Sequence, residues 1–387
     1  MRLKKTESEG NEMNENIVEV WLGGSRAGRI ALNRDRLAMF EYDLEWLRHG
    51  YSLSPFHLPL EQKLFIANAK PFDGNFGVFD DSLPDGWSAL VLDRYLRSQG
   101  KSLASLNLLE QLMFVGSRGR GALEYRPDLS TIDEQVAVDL DRMAEESQRV
   151  LNTDDTSDLD KAWRRGGSSG GTRPKVFVNH EGAEWLVKFR DRTDPPHVGK
   201  MEYETSLLAR ECGIEMPETR LFEGKYFGSK RFDRTEDGGK LHVISLSALM
   251  NLDYRLPSAD YGHLFWACSQ LTHSMKELWK VFRLMAFNLI IGNCDDHVKN
   301  FAFIRRNEEW HLAPAYDLLP CEGLGGFHSL SVNGNYKDPG KEDAVQLAVK
   351  FGLREDEAEA VFEEIKAHVT NNLSIGLKNP YFCTHEL

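Results

Sequence analysis

The sequence predicts an α+β fold in which a β-rich N-terminal region precedes a mainly α-helical C-terminal region. In the first part, short apolar segments alternate with glycine, asparagine and aspartate turns, which is typical of antiparallel strands. From about Ser245 onward, apolar residues recur with helical spacing over longer stretches. A hydrophobic content of 41% and a charged content of 28% indicate a globular chain, and 387 residues suffice for two or three structural units.

The first region, residues 17–128, is predicted to begin as an antiparallel meander and to end in a strand before Pro127. The meander strands are predicted at Ile17–Leu22, Gly28–Asn33 and Leu37–Tyr42. One helix is expected to continue towards Arg97, and a second to cover Ser105–Phe114. Residues 1–16 have no apolar core and no small-residue cleavage site, so a flexible tail is expected there rather than a secretory signal.

The middle region, residues 129–235, is predicted to contain a small antiparallel sheet with one helix packed on it. An acidic amphipathic helix at about Ile132–Val150 precedes this sheet. The elements predicted after it are the strands Lys175–Asn179 and Glu184–Phe189, the helix Lys200–Cys212, and the strands Glu218–Glu223 and Tyr226–Phe232. The last region, residues 236–387, is expected to be helical near 258–271, 275–292, 341–352 and 355–372.

Composition and charge argue against several classes of protein. The formal net charge of −13, from 47 basic and 60 acidic residues, disfavours direct binding to a nucleic-acid backbone. The apolar runs fall short of the ~20 residues that a membrane-spanning helix needs. The five cysteines are scattered without a CxxC pair, so neither a disulfide framework nor a zinc site is expected, and a reducing cytoplasm is the expected location.

A glycine-rich turn, Gly166–Gly171, precedes a predicted strand and lies upstream of Lys188. Glycine allows backbone N–H groups to converge on an anion, so Gly170 and Gly171 are candidates for binding phosphate. A flexible surface linker is the alternative interpretation of the same composition. Lys188 stands in an apolar strand context, where it is either a solvated edge charge or a phosphate-neutralising lysine held by Glu202 or Glu204 of the next helix.

The strongest local signal is the polar loop from Asn293 to Asn300, which follows a long apolar helix. Asn300 lies five positions after Asp295. This is the spacing of the catalytic loop of protein kinases, in which the aspartate orients the substrate hydroxyl and the asparagine binds magnesium. A third polar candidate, Asp317, occurs in an apolar strand-turn context where a cation would compensate the cost of burying its charge.

Two other interpretations of this loop stay open. Its polar residues could serve only as turn formers and helix caps. Alternatively, Asp295, His297 and Asp317 could form the metal site of a hydrolase, although the HxH and HExxH spacings typical of such sites are missing. His297 is interpreted as a histidine that fixes the loop rather than as a metal ligand.

From about Val18 to Asn372 the chain resembles the HipA-like serine/threonine kinases, many of which are toxins of bacterial toxin–antitoxin pairs. The resemblance in the first region is carried by VWLGG, AGRIAL, FEYDLEWL, LSPFHLPL, FDDSLPDGW and GRGALEY. Later it is carried by Ser168-x-Gly170-Gly171-x-x-Pro174-Lys175, Trp185–Phe189, Met201–Tyr203, Lys230–Arg234, Asp295–Asn300 and Tyr316–Asp317. The resemblance implies a two-lobed, protein-kinase-like fold with an appended N-terminal subdomain.

The resemblance also implies a role for each candidate residue. Lys188 would contact the ATP phosphates and pair with Glu202, while Arg231 and Phe232 would form the hinge that holds adenine. Asp295 would be the catalytic aspartate, Asn300 and Asp317 the Mg²⁺ ligands, and His297 a further residue of the ATP site. Ser168 would be the site of autophosphorylation, with Ser169 as the alternative. The chain departs from the family at Lys230, where glutamate is common, and at Asp296, where glycine is frequent.

The activity implied by the resemblance is transfer of the ATP γ-phosphate to a protein serine or threonine, limited by autophosphorylation of the glycine-rich loop. A translation component such as an aminoacyl-tRNA synthetase is the expected substrate, and a HipB-like helix-turn-helix antitoxin is the expected partner, with no direct contact to nucleic acid or membrane. Two alternatives are a catalytically silent binding module with the same fold, and a small-molecule or lipid kinase.

Overall fold

The computed structural model describes residues 17–130, 139–152, 171–256 and 258–375. The chain folds into two compact units that alternate along the sequence. The first unit is built from residues up to Gly182, together with Lys188–Thr193 and Asp233–His242. The second unit contains Ala183–Val187, Asp194–Phe232 and the residues from Val243 onward. The predicted tail, residues 1–16, lies outside the described residues.

The first unit opens with a five-stranded antiparallel sheet of strand order β4-β3-β2-β1-β5. Its strands are β1 (Ile17–Leu22), β2 (Ser25–Leu32), β3 (Ala38–Tyr42), β4 (Phe65–Ile66) and β5 (Leu123–Arg126). Every second residue of β1 is buried, so Val18, Val20 and Leu22 form its core face. The predicted meander is therefore confirmed, with an additional short edge strand, β4.

The helices of the first unit pack beside this sheet and around a second apolar cluster. They are α1 (Leu44–His49), α2 (Gly77–Asp80), α3 (Gly86–Ser98), α4 (Leu108–Val115) and α5 (Leu140–Asn152). Trp87, Val91 and Leu96 of α3 share one buried cluster with Val150 of α5. The predicted helix at 132–150 is thus observed from Leu140, and residues 131–138 lie outside the described part of the chain. Strand β6 (Lys175–His180) follows the glycine-rich segment.

The second unit begins with strand β7 (Ala183–Lys188), of which Lys188 itself belongs to the first unit. Helix α6 (Val198–Glu211) follows, and then strands β8 (Thr219–Phe222) and β9 (Tyr226–Lys230). Strand β9 lies between β7 and β8 and pairs antiparallel with each. This arrangement agrees with the predicted small sheet and its helix, with boundaries shifted by one or two residues.

The rest of the second unit is mainly helical. Its helices are α7 (Leu246–Met250), α8 (Tyr261–Thr272), α9 (Met275–Ile291), α10 (Lys341–Lys350) and α11 (Glu355–Ile375). Helix α9 is buried along most of its length, including Phe282, Met285 and Phe287. It ends at Gly292, whose φ of 67° is the left-handed conformation that glycine adopts without a steric penalty.

The helical region also holds short strands that the sequence pattern did not predict. These are β10 (Val243–Ser245), β11 (Ala259–Asp260), β12 (Ala302–Arg306), β13 (Glu309–Leu312) and β14 (Leu330–Ser331). Strand β12 lies between β10 and β13, and β11 pairs with β14 in parallel. The region is mainly helical, as predicted, and these short strands, each of two to five residues, are additions that the sequence analysis did not identify.

Candidate active site

The polar loop begins where α9 ends, and the end of α9 fixes its starting point. Asn293 Nδ2 donates a hydrogen bond to Asn288 Oδ1 (3.0 Å), one turn back in the buried helix. Asn288 Nδ2 in turn donates to the hydroxyl of Tyr261 (3.1 Å), which is fully buried. The first residue after the helix-ending glycine is therefore anchored to the core, which gives the following residues a defined position.

Asp295 is held by its backbone and exposes its carboxylate. Its carbonyl oxygen accepts a hydrogen bond from Asn300 Nδ2 (2.7 Å), and its N–H donates to Cys321 Sγ (3.3 Å). Its side chain is 68% exposed. The two predicted loop residues are thus directly connected, and the hydrogen bond engages the amide nitrogen of Asn300 rather than its oxygen, the atom that could bind a cation.

His297 fixes the shape of the loop. Its Nδ1 accepts the N–H of Lys299 (3.2 Å) and so caps the short 3₁₀ helix Val298–Asn300. Its other ring nitrogen, Nε2, lies 3.8 Å from Asp295 Oδ1. The ring also lies against Tyr254, with the centroids 5.7 Å apart. A contact of His297 with nucleotide stays a prediction.

Asp317 stands in a strained backbone position beside the loop. Its φ of 54° is in the left-handed region, which residues other than glycine adopt rarely and often at functional sites. Asn293 Nδ2 lies within 3.5 Å of its carbonyl oxygen and donates to it. The preceding Tyr316 donates its hydroxyl to the carbonyl of Lys299 (2.7 Å). Two hydrogen bonds therefore join the segment of Asp317 to the loop that carries Asp295 and Asn300.

Helix α6 is attached to the same segment. Leu319 packs in a buried cluster with Val198 and Met201 of α6, and the N–H of Ala315 donates to the carbonyl of Glu215 (2.8 Å), which lies in the loop after α6. Glu202 lies on the buried face of this helix and is 3% exposed. Glu204, the other candidate, is instead 33% exposed and lies 3.6 Å from Lys200. Of the two candidate carboxylates of α6, Glu202 is thus the buried one, and its functional role stays a prediction.

Lys188 is the last residue of β7 and is 8% exposed. Burying an ammonium group without compensating interactions costs several kcal/mol, so it is not the solvated edge charge of the alternative interpretation. Its pairing with Glu202 and with phosphate stays a prediction.

The proposed hinge, Arg231 and Phe232, is ordered by contacts on both sides. The N–H of Arg231 donates to the carbonyl of Glu184 (2.9 Å), and its guanidinium donates to the Glu184 carboxylate (3.1 Å). The ring of Phe232 stacks on Tyr316, with centroids 5.9 Å apart and planes at 21°. The segment after β9 is therefore linked to the residue preceding Asp317. Lys230, where the family often has glutamate, lies at the surface 3.7 Å from Glu218.

Of the glycine-rich segment, only Gly171 is described, since Ser168, Ser169 and Gly170 lie outside the described residues. Gly171 has a φ of 92°, which requires glycine. Its N–H donates to Asp85 Oδ1 (2.8 Å), and its carbonyl accepts the N–H of Trp87 (3.0 Å). The N–H of Gly171, which was predicted to bind phosphate, is thus hydrogen-bonded to Asp85, the N-cap residue of α3.

Asp296 and His328 are residues of the site that the sequence interpretation missed. The sequence marked Asp296 only as a departure from the family, whereas the structure buries its side chain completely, 3.0 Å from His328 Nδ1. Burial is the largest single effect and lowers the pKa of His328, but the hydrogen bonds and negative charges of Asp296 and Cys294 together outweigh it and raise that pKa to about 10. His328 lies 32 positions away with no motif around it, so no sequence signal pointed to the pair.

The side-chain oxygens of two predicted metal ligands are of the type that binds a hard cation together with phosphate. Asn300 and Asp317 supply oxygen donors, and Mg²⁺ typically takes one or two carboxylates together with phosphate oxygens and water. Among the described residues, no three histidine, cysteine, aspartate or glutamate side chains cluster closely enough to hold a metal.

Within the described part of the chain, no helix combines the length and the apolar character needed to cross a membrane.

Comparison with protein families matches both parts of the chain. Residues 18–126 match the family of HipA N-terminal domains, and residues 167–373 match the family of HipA-like C-terminal domains. The second match alone covers more than half of the chain.

Among curated proteins, the chain is similar to "Putative kinase Y4dM" of Sinorhizobium fredii, with 27% identity over 158 residues, 36% of this chain and 37% of the relative. It is also similar to "Putative kinase" of Haemophilus influenzae, with 29% identity over 184 residues, 40% of this chain and 53% of the relative. The chain thus spans about a third to a half of the length of these relatives.

Among solved structures, HipA from the Shewanella oneidensis MR-1 complex of HipA, HipB and operator DNA superimposes with a TM-score of 0.68 and 18% identity. This match covers 93% of this chain and 90% of the other. At this identity it shows a common fold, and the predicted α+β, kinase-like fold class is confirmed.

Proposed function

Because this chain belongs to the HipA-like kinase family, we propose that it transfers the γ-phosphate of ATP to a serine or threonine of a protein. The observation that carries the proposal is the joined set of Asp295, Asn300 and Asp317, held by the hydrogen bonds from Asn300 to Asp295 and from Asn293 to Asp317. Phosphoryl transfer depends mainly on positioning and charge stabilisation, and this set provides both.

Each residue has a part in the proposed reaction. Asp295, whose carboxylate is exposed and whose backbone is held, orients the attacking hydroxyl and accepts its proton. Asn300 and Asp317 would hold Mg²⁺, which when bound neutralises the phosphate oxygens. Lys188 would contact the same phosphates with Glu202 as its partner, and the segment at Arg231 and Phe232 would bind adenine. His297 keeps the loop in the conformation that presents Asp295.

The substrate and the partner belong to this proposal as well. A translation component such as an aminoacyl-tRNA synthetase is the proposed substrate, and the cytoplasm is the proposed location. The Shewanella HipA was solved with HipB and operator DNA, which supports a HipB-like antitoxin as the partner of this chain. The net charge of −13 favours a partner that supplies the DNA contacts itself.

Incubation with ATP labelled on the γ-phosphate and a cell lysate tests the proposed class of activity. We expect labelled protein bands that disappear when Mg²⁺ is chelated. A labelled small molecule or lipid without labelled protein would instead identify a small-molecule or lipid kinase. Absence of any labelled product would identify a silent binding module, which the buried Lys188 and the intact Asp295, Asn300 and Asp317 argue against.

Autophosphorylation of the glycine-rich loop is expected at Ser168. A phosphate there carries about −1.5 to −2 charges and would repel the ATP phosphates or draw the loop towards cations such as Arg173 and Lys175. Mass spectrometry of the protein expressed in active form and as Asp295→Asn should find the phosphate only in the active form. A phosphate on Ser169 alone would keep the mechanism and change the residue, whereas equal modification of both forms would contradict self-phosphorylation.

A further inference from the structure

The side chain of Asp296 is the most completely buried carboxylate of the candidate site, with none of it exposed to solvent. An isolated buried carboxylate is strongly destabilising, so its contacts must compensate the loss of hydration. Its Oδ1 accepts the N–H groups of Ser329 (2.9 Å) and Leu330 (3.4 Å). Its Oδ2 accepts the hydroxyl of Tyr261 (2.8 Å) and pairs with His328 Nδ1 (3.0 Å).

The partner of Asp296 in this pair, His328, is protonated at neutral pH. Burial lowers the pKa of His328, but the hydrogen bonds and charges of Asp296 and Cys294 together raise it to about 10, so the imidazole carries a proton above pH 7. Cys294 is the other titratable group whose interaction raises the pKa of His328. Burial and the charge of Asp296 also raise the pKa of Tyr261 well above its usual value, so this phenol is a hydrogen-bond donor.

The same short segment, residues 328–330, holds the loop on both sides of Asp295. The carbonyl of Cys294, just before Asp295, accepts the N–H (3.1 Å) and the hydroxyl (2.9 Å) of Ser329. Asp296, just after it, accepts the bonds from His328, Ser329 and Leu330 described above. Asp295 is therefore an exposed residue between two anchored neighbours, of which Cys294 is held by its backbone carbonyl and Asp296 by its carboxylate.

We propose that Asp296 is a positioning residue for phosphoryl transfer, which with His328 locks the loop onto residues 328–330 and so fixes the direction of the Asp295 carboxylate. This inference rests on the proposed function, because it assigns Asp296 a part in that reaction. The physical reason is geometric. If a reacting carboxylate is displaced by as little as 1 Å, the rate of the reaction can fall by about a hundredfold although every reacting group is present.

The direct test is the pair of variants Asp296→Asn and His328→Gln. Asparagine has the size of aspartate but replaces one carboxylate oxygen by an NH₂ group. That group is a donor, so it cannot accept the hydrogen bonds that the replaced oxygen accepts in the wild type. We expect kcat of Asp296→Asn to fall by about tenfold to a hundredfold while KM for ATP changes less than about twofold. His328→Gln removes the charge but keeps a donor, so a smaller fall in kcat is expected.

Glu277→Gln is the matched control for a merely structural effect. Glu277 is also buried, accepts a backbone N–H from Leu312 (2.9 Å) and lies 2.8 Å from a cation, Lys280. It stands in the first turn of α9, at the opposite end of the helix from the loop. We expect this variant to lower the melting temperature and leave kcat near that of the wild type. If it lowers kcat as much as Asp296→Asn at a similar loss of stability, the positioning role is overturned.

Amide hydrogen exchange tests the anchoring role of Asp296 without depending on kinase activity, so failure of this inference can be told apart from failure of the proposed function. We expect exchange of the peptide containing residues 294–300 to become at least about tenfold faster in Asp296→Asn than in the wild type, and to stay unchanged in Glu277→Gln. Unchanged exchange in a folded Asp296→Asn protein would show that Asp296 does not hold the loop. A wild type that transfers no phosphate would refute the proposed function, and exchange would still decide whether Asp296 anchors the loop.

Discussion

Replacing Asp295 by asparagine is expected to lower phosphoryl transfer by about a hundredfold or more and to leave the protein folded. The backbone of Asp295 makes the hydrogen bonds to Asn300 and Cys321, and an asparagine keeps that backbone. The exposed carboxylate adds little to stability but is the group that orients the attacking hydroxyl. Loss of several kcal/mol of transition-state stabilisation corresponds to that fall in rate.

The measurement is the initial rate of transfer to protein substrate, with the melting temperature taken in parallel. Asp317→Ala should show a loss of similar size, because it removes a proposed Mg²⁺ ligand. Asp338→Asn is a suitable control, since it makes the same chemical change at an exposed position. Near-normal activity in a folded Asp295→Asn protein would refute the assignment of the catalytic residue.

Magnesium and ATP are expected to stabilise the wild-type protein and to do so much less in Lys188→Ala. A ligand that binds only the folded state stabilises it by mass action, by about 2.7 kcal/mol when its concentration is a hundredfold above Kd. If loss of the Lys188 ammonium weakens binding about a hundredfold, the same ligand concentration would stabilise the variant by only about 0.4 kcal/mol.

Thermal denaturation with and without MgATP measures this difference. Only the shift caused by the ligand is compared, because removal of a buried side chain such as Lys188 changes the stability of the free protein too. Lys276→Ala replaces an exposed lysine and should respond to MgATP as the wild type does. Equal shifts in Lys188→Ala and the wild type would exclude Lys188 from the nucleotide site.

Local patterns were enough to predict the long elements and the polar loop. Helices α6 and α9 were recognisable from their apolar spacing and from the glycines that end them, Gly213 and Gly292. The loop from Asn293 to Asn300 was recognisable because a dense run of polar residues followed a buried helix. These features depend on neighbours within a few positions, so a sequence read alone contains them.

The hairpin of β12 and β13 shows where local patterns fail. Its two-residue turn, Asn307-Glu308, has positive φ at both positions (49° and 68°), as in a type I′ turn. Glycine usually marks the second position of that turn, and glutamate there gave no signal. The strands are stable because β12 also pairs with β10, about sixty residues earlier in the chain.

The sequence by itself determined which residues are available for chemistry: Asp295 and Asn300 at their spacing, Asp317 in its apolar context, and Lys188 in a strand. The tertiary structure alone decided how they are supported. In the folded protein Asp296 is buried against His328 and Tyr261, and the N–H of Gly171 donates a hydrogen bond to Asp85. The physical reason is that spacing reports contacts within a turn or two, whereas a buried charge is compensated by whichever distant group the fold brings within hydrogen-bonding distance.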